Sequence, residues 1–122
     1  MFINISNHPS IAWKEEQISE AQIYGEIMDI PFPNIPPQMD TEEMKSIVDY
    51  YIRKIEVLTI GKTEDMLIHV MGESVFSFML IVSLLQKKYK VVASTTERIV
   101  SYEGEVKRTE FKFVRFREYK LE

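Results

Sequence analysis

The chain alternates short apolar runs with segments whose apolar residues recur at helical spacing. Phe2-Ile3-Asn4-Ile5-Ser6 reads as a first strand, and Asn7-His8-Pro9-Ser10 breaks it because proline cannot continue a ladder. Ser10 is placed to cap a helix from about Ile11 to Tyr24, with Trp13, Ile18, Ala21 and Tyr24 at helical spacing and Gly25 at its stop. Glu26 to Ile30 is a short second strand. The segment Pro31-Phe32-Pro33-Asn34-Ile35-Pro36-Pro37 can be neither helix nor central strand; it reads as a rigid rim loop, or else as a docking motif for a partner. Asp40 with Glu43 makes a capping box, and Met44, Ile47, Val48, Tyr51, Ile55 and Leu58 form the buried stripe of the helix that follows. Gly61-Lys62-Thr63 ends that helix.

The apolar run Met66 to Met71 then meets a Gly72-Glu73-Ser74 corner, a buried strand feeding a helix across a tight turn. That helix, about Ser74 to Lys87, is apolar nearly all round and must be covered on more than one side; in so small a domain a second copy of the chain is the natural cover. Lys90 to Ser94 is a fourth strand ending in Thr95-Thr96-Glu97-Arg98. A hairpin closes the chain: Ile99 to Tyr102, a turn around Glu103-Gly104-Glu105, and Val106 to Tyr119.

Strands alternating with helices predict an α/β domain over residues 1–122, with a mostly parallel sheet, helices on both faces and a C-terminal antiparallel hairpin. Right-handed crossovers make 2-1-3-4 the simplest strand order. Ligands of such sheets bind beyond the carboxyl ends of the strands, where the order reverses. Those ends carry Asn7-His8, Gly72-Glu73 and Thr95-Thr96.

Composition narrows the chemistry. The chain has no cysteine and only His8 and His69, which excludes a disulfide framework and cysteine-ligated zinc and disfavours a histidine-rich metal site. With no long apolar span and no signal-peptide pattern at its start, a cytoplasmic protein away from membranes is expected. The net charge of −4 argues against a nonspecific nucleic-acid binder. Residues 107–120 nevertheless hold six basic side chains against two acidic ones, a charged edge that blocks aggregation or a local anion-attracting patch. No phosphate loop, dinucleotide fingerprint or nucleophile elbow is present.

What remains is a set of polar groups at strand ends. His8 can act as general acid or base, or can hold its loop by bonding backbone. His69, between Ile68 and Val70, reads as a packed structural histidine, and Trp13 as core. Ser74 and the amides of residues 72–75 lie at a helix N-terminus that favours phosphate, and Glu73 there can cap the helix instead. Ser94, Thr95 and Thr96 offer successive hydroxyls, and Arg98 can grip a phosphate or pair with Glu97. Together they suit a phosphodiester, and attack by a ribose 2′-hydroxyl on its neighbouring phosphate, which needs positioning and charge stabilisation more than a protein nucleophile.

The run Asn7-His8-Pro9-Ser10, then Glu16-Gln17, Ala21 and Gly25, the Ile35-Pro36-Pro37 loop, Met71-Gly72-Glu73, Ser94-Thr95-Thr96-Glu97-Arg98 and the closing Phe111 to Tyr119 span nearly the whole chain. In that order they resemble the small CRISPR-associated ring nucleases and cyclic-oligoadenylate binders of type III systems. The resemblance implies a Rossmann-like fold, no cofactor, and a homodimer holding cyclic tetra-adenylate across its two-fold axis. It implies catalysis by His8 and Arg98, with Asn7, Ser10, Gly72, Glu73, Ser74, Ser94, Thr95 and Thr96 around the ring. Relatives carry a Gly-Asp-Phe-Gly type of turn where this chain has the bulkier, acidic Gly72-Glu73-Ser74-Val75. The expected activity is metal-independent linearisation of the messenger; a sponge that binds without turnover, or a module that binds a protein partner, are the alternatives.

Overall fold

In the computed structural model, which describes residues 1–62 and 65–122, five strands form one sheet of order β2-β1-β3-β4-β5. β1 (Phe2–Ser6), β2 (Ile27–Asp29), β3 (Leu67–Met71) and the start of β4 (Val91–Glu103) are mutually parallel, and β5 (Val106–Glu118) runs antiparallel to β4. The helices are α1 (Glu15–Gln22), α2 (Thr41–Thr59) and α3 (Ser74–Gln86). The strand order and the terminal hairpin agree with the apolar pattern. Thr63, read as part of the stop after α2, lies outside the described residues.

Alternation along the strands divides the core into two. Ile3, Ile5, Ile68, Val70 and Val91 face α2 and α3, packing with Val48, Ile52 and Ile55 of the first and Phe76, Leu80 and Leu84 of the second. On the opposite face Phe2, Leu67 and Val92 meet Ala21 of α1, with Trp13 and Phe116 against them. The N-cap half of the box forms, the Asp40 carboxylate accepting from the Glu43 amide at 3.0 Å. The Pro31–Pro37 loop is a structural rim. Its Phe32 ring packs edge-on against Phe76, and the Pro31 carbonyl accepts from the Tyr51 hydroxyl.

Two boundaries differ from the pattern. The helix expected from Ile11 to Tyr24 is split: Ser10–Ala12 is a 3-10 turn, Trp13 is extended, and α1 begins only at Glu15. Ser10 caps nothing, because its hydroxyl is taken by the Asp29 carboxylate at 2.6 Å. The fourth strand does not stop at Ser94 but is thirteen residues long in all and continues into the hairpin, paired along its length with β5. Thr95 to Arg98 are therefore strand, with one irregularity between Thr95 and Thr96.

These two differences make the site. A helix of eight residues covers only the lower part of its sheet face. Beyond it the carboxyl ends of β1 and β3 border a cleft walled on one side by the long hairpin.

Candidate functional site: a cleft above a buried polar row

The cleft has a volume of about 640 Å³. Its floor is Ser6, His69, Met71 and Ser94; the loop after β1 brings Asn7 and His8, the segment leading into α1 brings Trp13 and Lys14, α1 brings Gln17, and the hairpin brings Thr96, Phe111 and Phe113. It lies where β1 and β3 adjoin, the point at which the strand order reverses.

Beneath it, register assembles a row of polar side chains across the sheet. Asn4 stands beside Asp29 in the β1–β2 ladder and beside His69 in the β1–β3 ladder. His69 in turn stands beside Val92, two residues before Ser94 and on the same face of β4. The Asn4 amide nitrogen donates to Asp29 Oδ1 at 2.7 Å and to the His8 carbonyl at 3.0 Å. Asn4 Oδ1 lies 2.8 Å from both Ser6 Oγ and His69 Nδ1, and His69 Nε2 lies 3.2 Å from Ser94 Oγ. Asn4 is 1% exposed and His69 2%, so an unpaired polar atom here would cost its full desolvation.

Burial sets the charge states. The His69 imidazole is pushed down to about 4, chiefly because a charged ring would be desolvated and secondarily by neighbouring His8, so it is neutral at pH 7. It packs against Phe2, Trp13 and Phe116. At Asp29 burial pushes the carboxyl up, but hydrogen bonds from Ser10 and Asn4 outweigh it and hold the group below the usual carboxylate range.

The groups nominated from the sequence separate in space. Asn7, His8, Gly72, Ser94 and Thr96 line the cleft. Arg98 does not line it, but sits opposite Phe111 in the β4–β5 register, so it shares the face of a wall residue at the cleft's outer end. Ser10 is tied to Asp29, and the Thr95 hydroxyl donates to the Arg115 carbonyl at 3.1 Å. Ser74 turns to another groove, between α3 and the C-terminal Tyr119-Lys120-Leu121. Glu73 caps its own helix, its carboxylate accepting from the amides of Val75 at 2.7 Å and Phe76 at 3.0 Å. The acidic corner is thus a helix cap, and those amides are occupied.

Sequence reading missed Asn4 and Asp29, and missed Phe111 and Phe113 as cleft walls. Aromatic faces beside hydroxyls suit a nucleobase, which stacks on one and hydrogen-bonds to the other. The available signal was the alternation Phe111, Phe113 in a strand otherwise rich in Lys and Arg. Lys14 brings a cation to the cleft but is paired with Glu110 at 2.7 Å, and the hydrogen bond and charge of that partner raise its ammonium pKa. Among the described residues no cluster of three or more His, Cys, Asp or Glu could hold a metal, and no helix is long and apolar enough to cross a membrane.

The chain belongs to the Uncharacterized protein MJ1673 family, whose model matches residues 1–117. No curated protein and no solved structure matches it.

Proposed function

We propose that the cleft binds cyclic tetra-adenylate, the second messenger of type III CRISPR defence, and that the protein lowers the messenger's level to end the response. The resemblance set out from the sequence supplies the ligand class. The observation that carries it to this place is the open cleft at the switch point, with aromatic walls on Phe111 and Phe113 and hydroxyls on Ser94 and Thr96. A two-fold symmetric ring matches an isologous dimer, so each protomer's cleft takes half of the ligand.

In the catalytic form of this reading, a ribose 2′-oxygen attacks the adjacent phosphorus. The new bond closes a 2′,3′-cyclic phosphate, the bond to the 5′-oxygen breaks, and the 5′-oxygen leaves as a hydroxyl. His8, exposed at the cleft mouth, carries the proton, and Arg98, outside the lining but opposite the wall residue Phe111, adds positive charge at the cleft's outer end. His69 has no part as a charged acid, since burial keeps its ring neutral.

One observation favours the sponge as second reading: Arg98, nominated for catalysis, does not line the cleft. Incubating the protein in chelator with radiolabelled cyclic tetra-adenylate, and resolving bound, intact and linear species, separates the cases. Linear product establishes metal-independent cleavage, retained intact ring establishes the sponge, and no retention of any ring size removes the proposal. Where cleavage occurs, His8→Ala reduces it roughly 10²-fold while sparing binding. Unchanged turnover takes His8 out of the mechanism.

A further inference from the structure

The polar row has a direction, and it reaches the cleft. Asp29 is ionised and can only accept, so Asn4 must turn its Nδ2 toward it; the reverse amide orientation would set oxygen against oxygen. Asn4 Oδ1 therefore faces His69 Nδ1 at 2.8 Å, and Nδ1 must carry the ring's single proton. Nε2 is then a bare lone pair, 3.2 Å from Ser94 Oγ. The Ser94 hydroxyl has one proton and two candidate acceptors, Nε2 and the Met71 sulfur at 3.0 Å. A thioether is a weak acceptor and an imidazole nitrogen a strong one, so the proton goes to His69. What Ser94 presents to the cleft is its oxygen lone pairs.

From this chain of contacts we infer that Ser94 is a fixed hydrogen-bond acceptor that reads the ribose 2′-hydroxyl of the bound ring, with His69, Asn4 and Asp29 as positioning residues behind it. The inference rests on the messenger reading above and adds to it the ligand group that is recognised. A nucleotide ring offers two kinds of donor, the 2′-hydroxyl and the adenine amino group. The 2′-hydroxyl is assigned because the walls on which a base would stack, Phe111 and Phe113, come from the hairpin, while Ser94 stands on the floor of the cleft where the sugar would lie; it is a 2′-hydroxyl that does not attack, since a proton donated to Ser94 is not available to His8. An acceptor locked by its own donor bond rejects a ligand lacking the donor, because its lone pair is left unpaired on binding.

The first test needs no ligand. In ¹⁵N NMR spectra of the free protein at pH 7, His69 is expected as the Nδ1–H tautomer; an Nε2–H tautomer would make Ser94 a donor toward the cleft and overturn the inference. The second compares binding of cyclic tetra-adenylate, its all-2′-deoxy counterpart and cyclic tetra-inosinate to the wild type and to Ser94→Ala. The wild type should prefer the ribose ring to the deoxy ring roughly tenfold. Ser94→Ala should bring those two within about twofold while leaving the adenine-to-inosine ratio unchanged. Equal binding of ribose and deoxy rings by the wild type, or a Ser94→Ala effect confined to the adenine-to-inosine ratio, overturns the assignment and leaves the messenger reading standing. Failure to bind any ring overturns both.

Discussion

His69 has no room for a second proton. Its Nδ1 is committed to Asn4, its Nε2 faces Ser94, its ring lies among Phe2, Trp13 and Phe116, and His8 is the titratable group nearby. The consequence for stability has a definite sign. The unfolded histidine takes up a proton near its ordinary pKa of about 6.5, whereas the folded one resists until about 4. Between those values the unfolded state binds more protons, so stability is full above about 6.5 and falls as the pH drops toward 4. The loss across that window is on the order of 3 kcal/mol. Asp29 and Glu110, both held low, add a loss of the same sign that begins at the acid end of this window, as the pH enters the ordinary carboxylate range. Urea unfolding at a series of pH values should show the slope between about pH 6.5 and 5 in the wild type and its loss there in His69→Gln, whatever that variant's stability at pH 7. A flat wild-type profile between pH 6.5 and 4 would contradict the neutral, buried ring.

Among the elements, the turn from β3 into α3 shows how tightly packing constrains the cleft's edge. A Cβ on Gly72 would lie 2.3 Å from the Phe32 ring, which is itself edge-on to Phe76 in the core. Gly72→Ala must therefore push the proline-rich rim loop away, at about 1–3 kcal/mol. Thermal unfolding would register this as a lowered midpoint, and an unchanged one would mean that the rim loop yields freely. This corner was legible in the sequence because an apolar run, a glycine and a helix follow one another in order. So were β1 and the Asp40–Glu43 cap, each marked by local chemistry. The length of β4 was not. Buried parallel strands read as apolar runs, and past Ala93 the strand leaves the core through Ser94-Thr95-Thr96-Glu97-Arg98, which holds no apolar residue to join it to the hairpin read from Ile99 onward. The polar row was hidden for a related reason. Asp29, Asn4 and His69 lie far apart in sequence, and only strand register makes them neighbours. His69 was legible as buried, but not as one link in a directed row.

In the whole molecule α3 keeps apolar side chains exposed. One side of it packs on α2 and the sheet through Phe76, Leu80 and Leu84, while Val75 is 42% and Phe78 67% exposed. The adjoining groove, about 410 Å³, runs between α3 and the C-terminal Tyr119-Lys120-Leu121 and is lined largely by apolar side chains. At its wall Ser77 Oγ is buried with no hydrogen-bond partner among the described residues, a cost that a facing polar atom would remove. Met71 and Gly72 belong to both groove and cleft, so a second copy seated on α3 would stand beside the ligand site. On the messenger reading, this is the arrangement a symmetric ring would require, and it would link assembly to binding. Phe78→Glu places a charge on an already exposed position, so the fold should survive with its circular dichroism intact. Sedimentation equilibrium should then find a dimer for the wild type and a monomer for the variant. Cyclic tetra-adenylate binding should weaken at least tenfold with the dimer, since one cleft alone contacts half of the ring. A variant that stays dimeric, or a monomer that keeps full affinity, would separate the α3 face from the site and leave the cleft to act within a single chain.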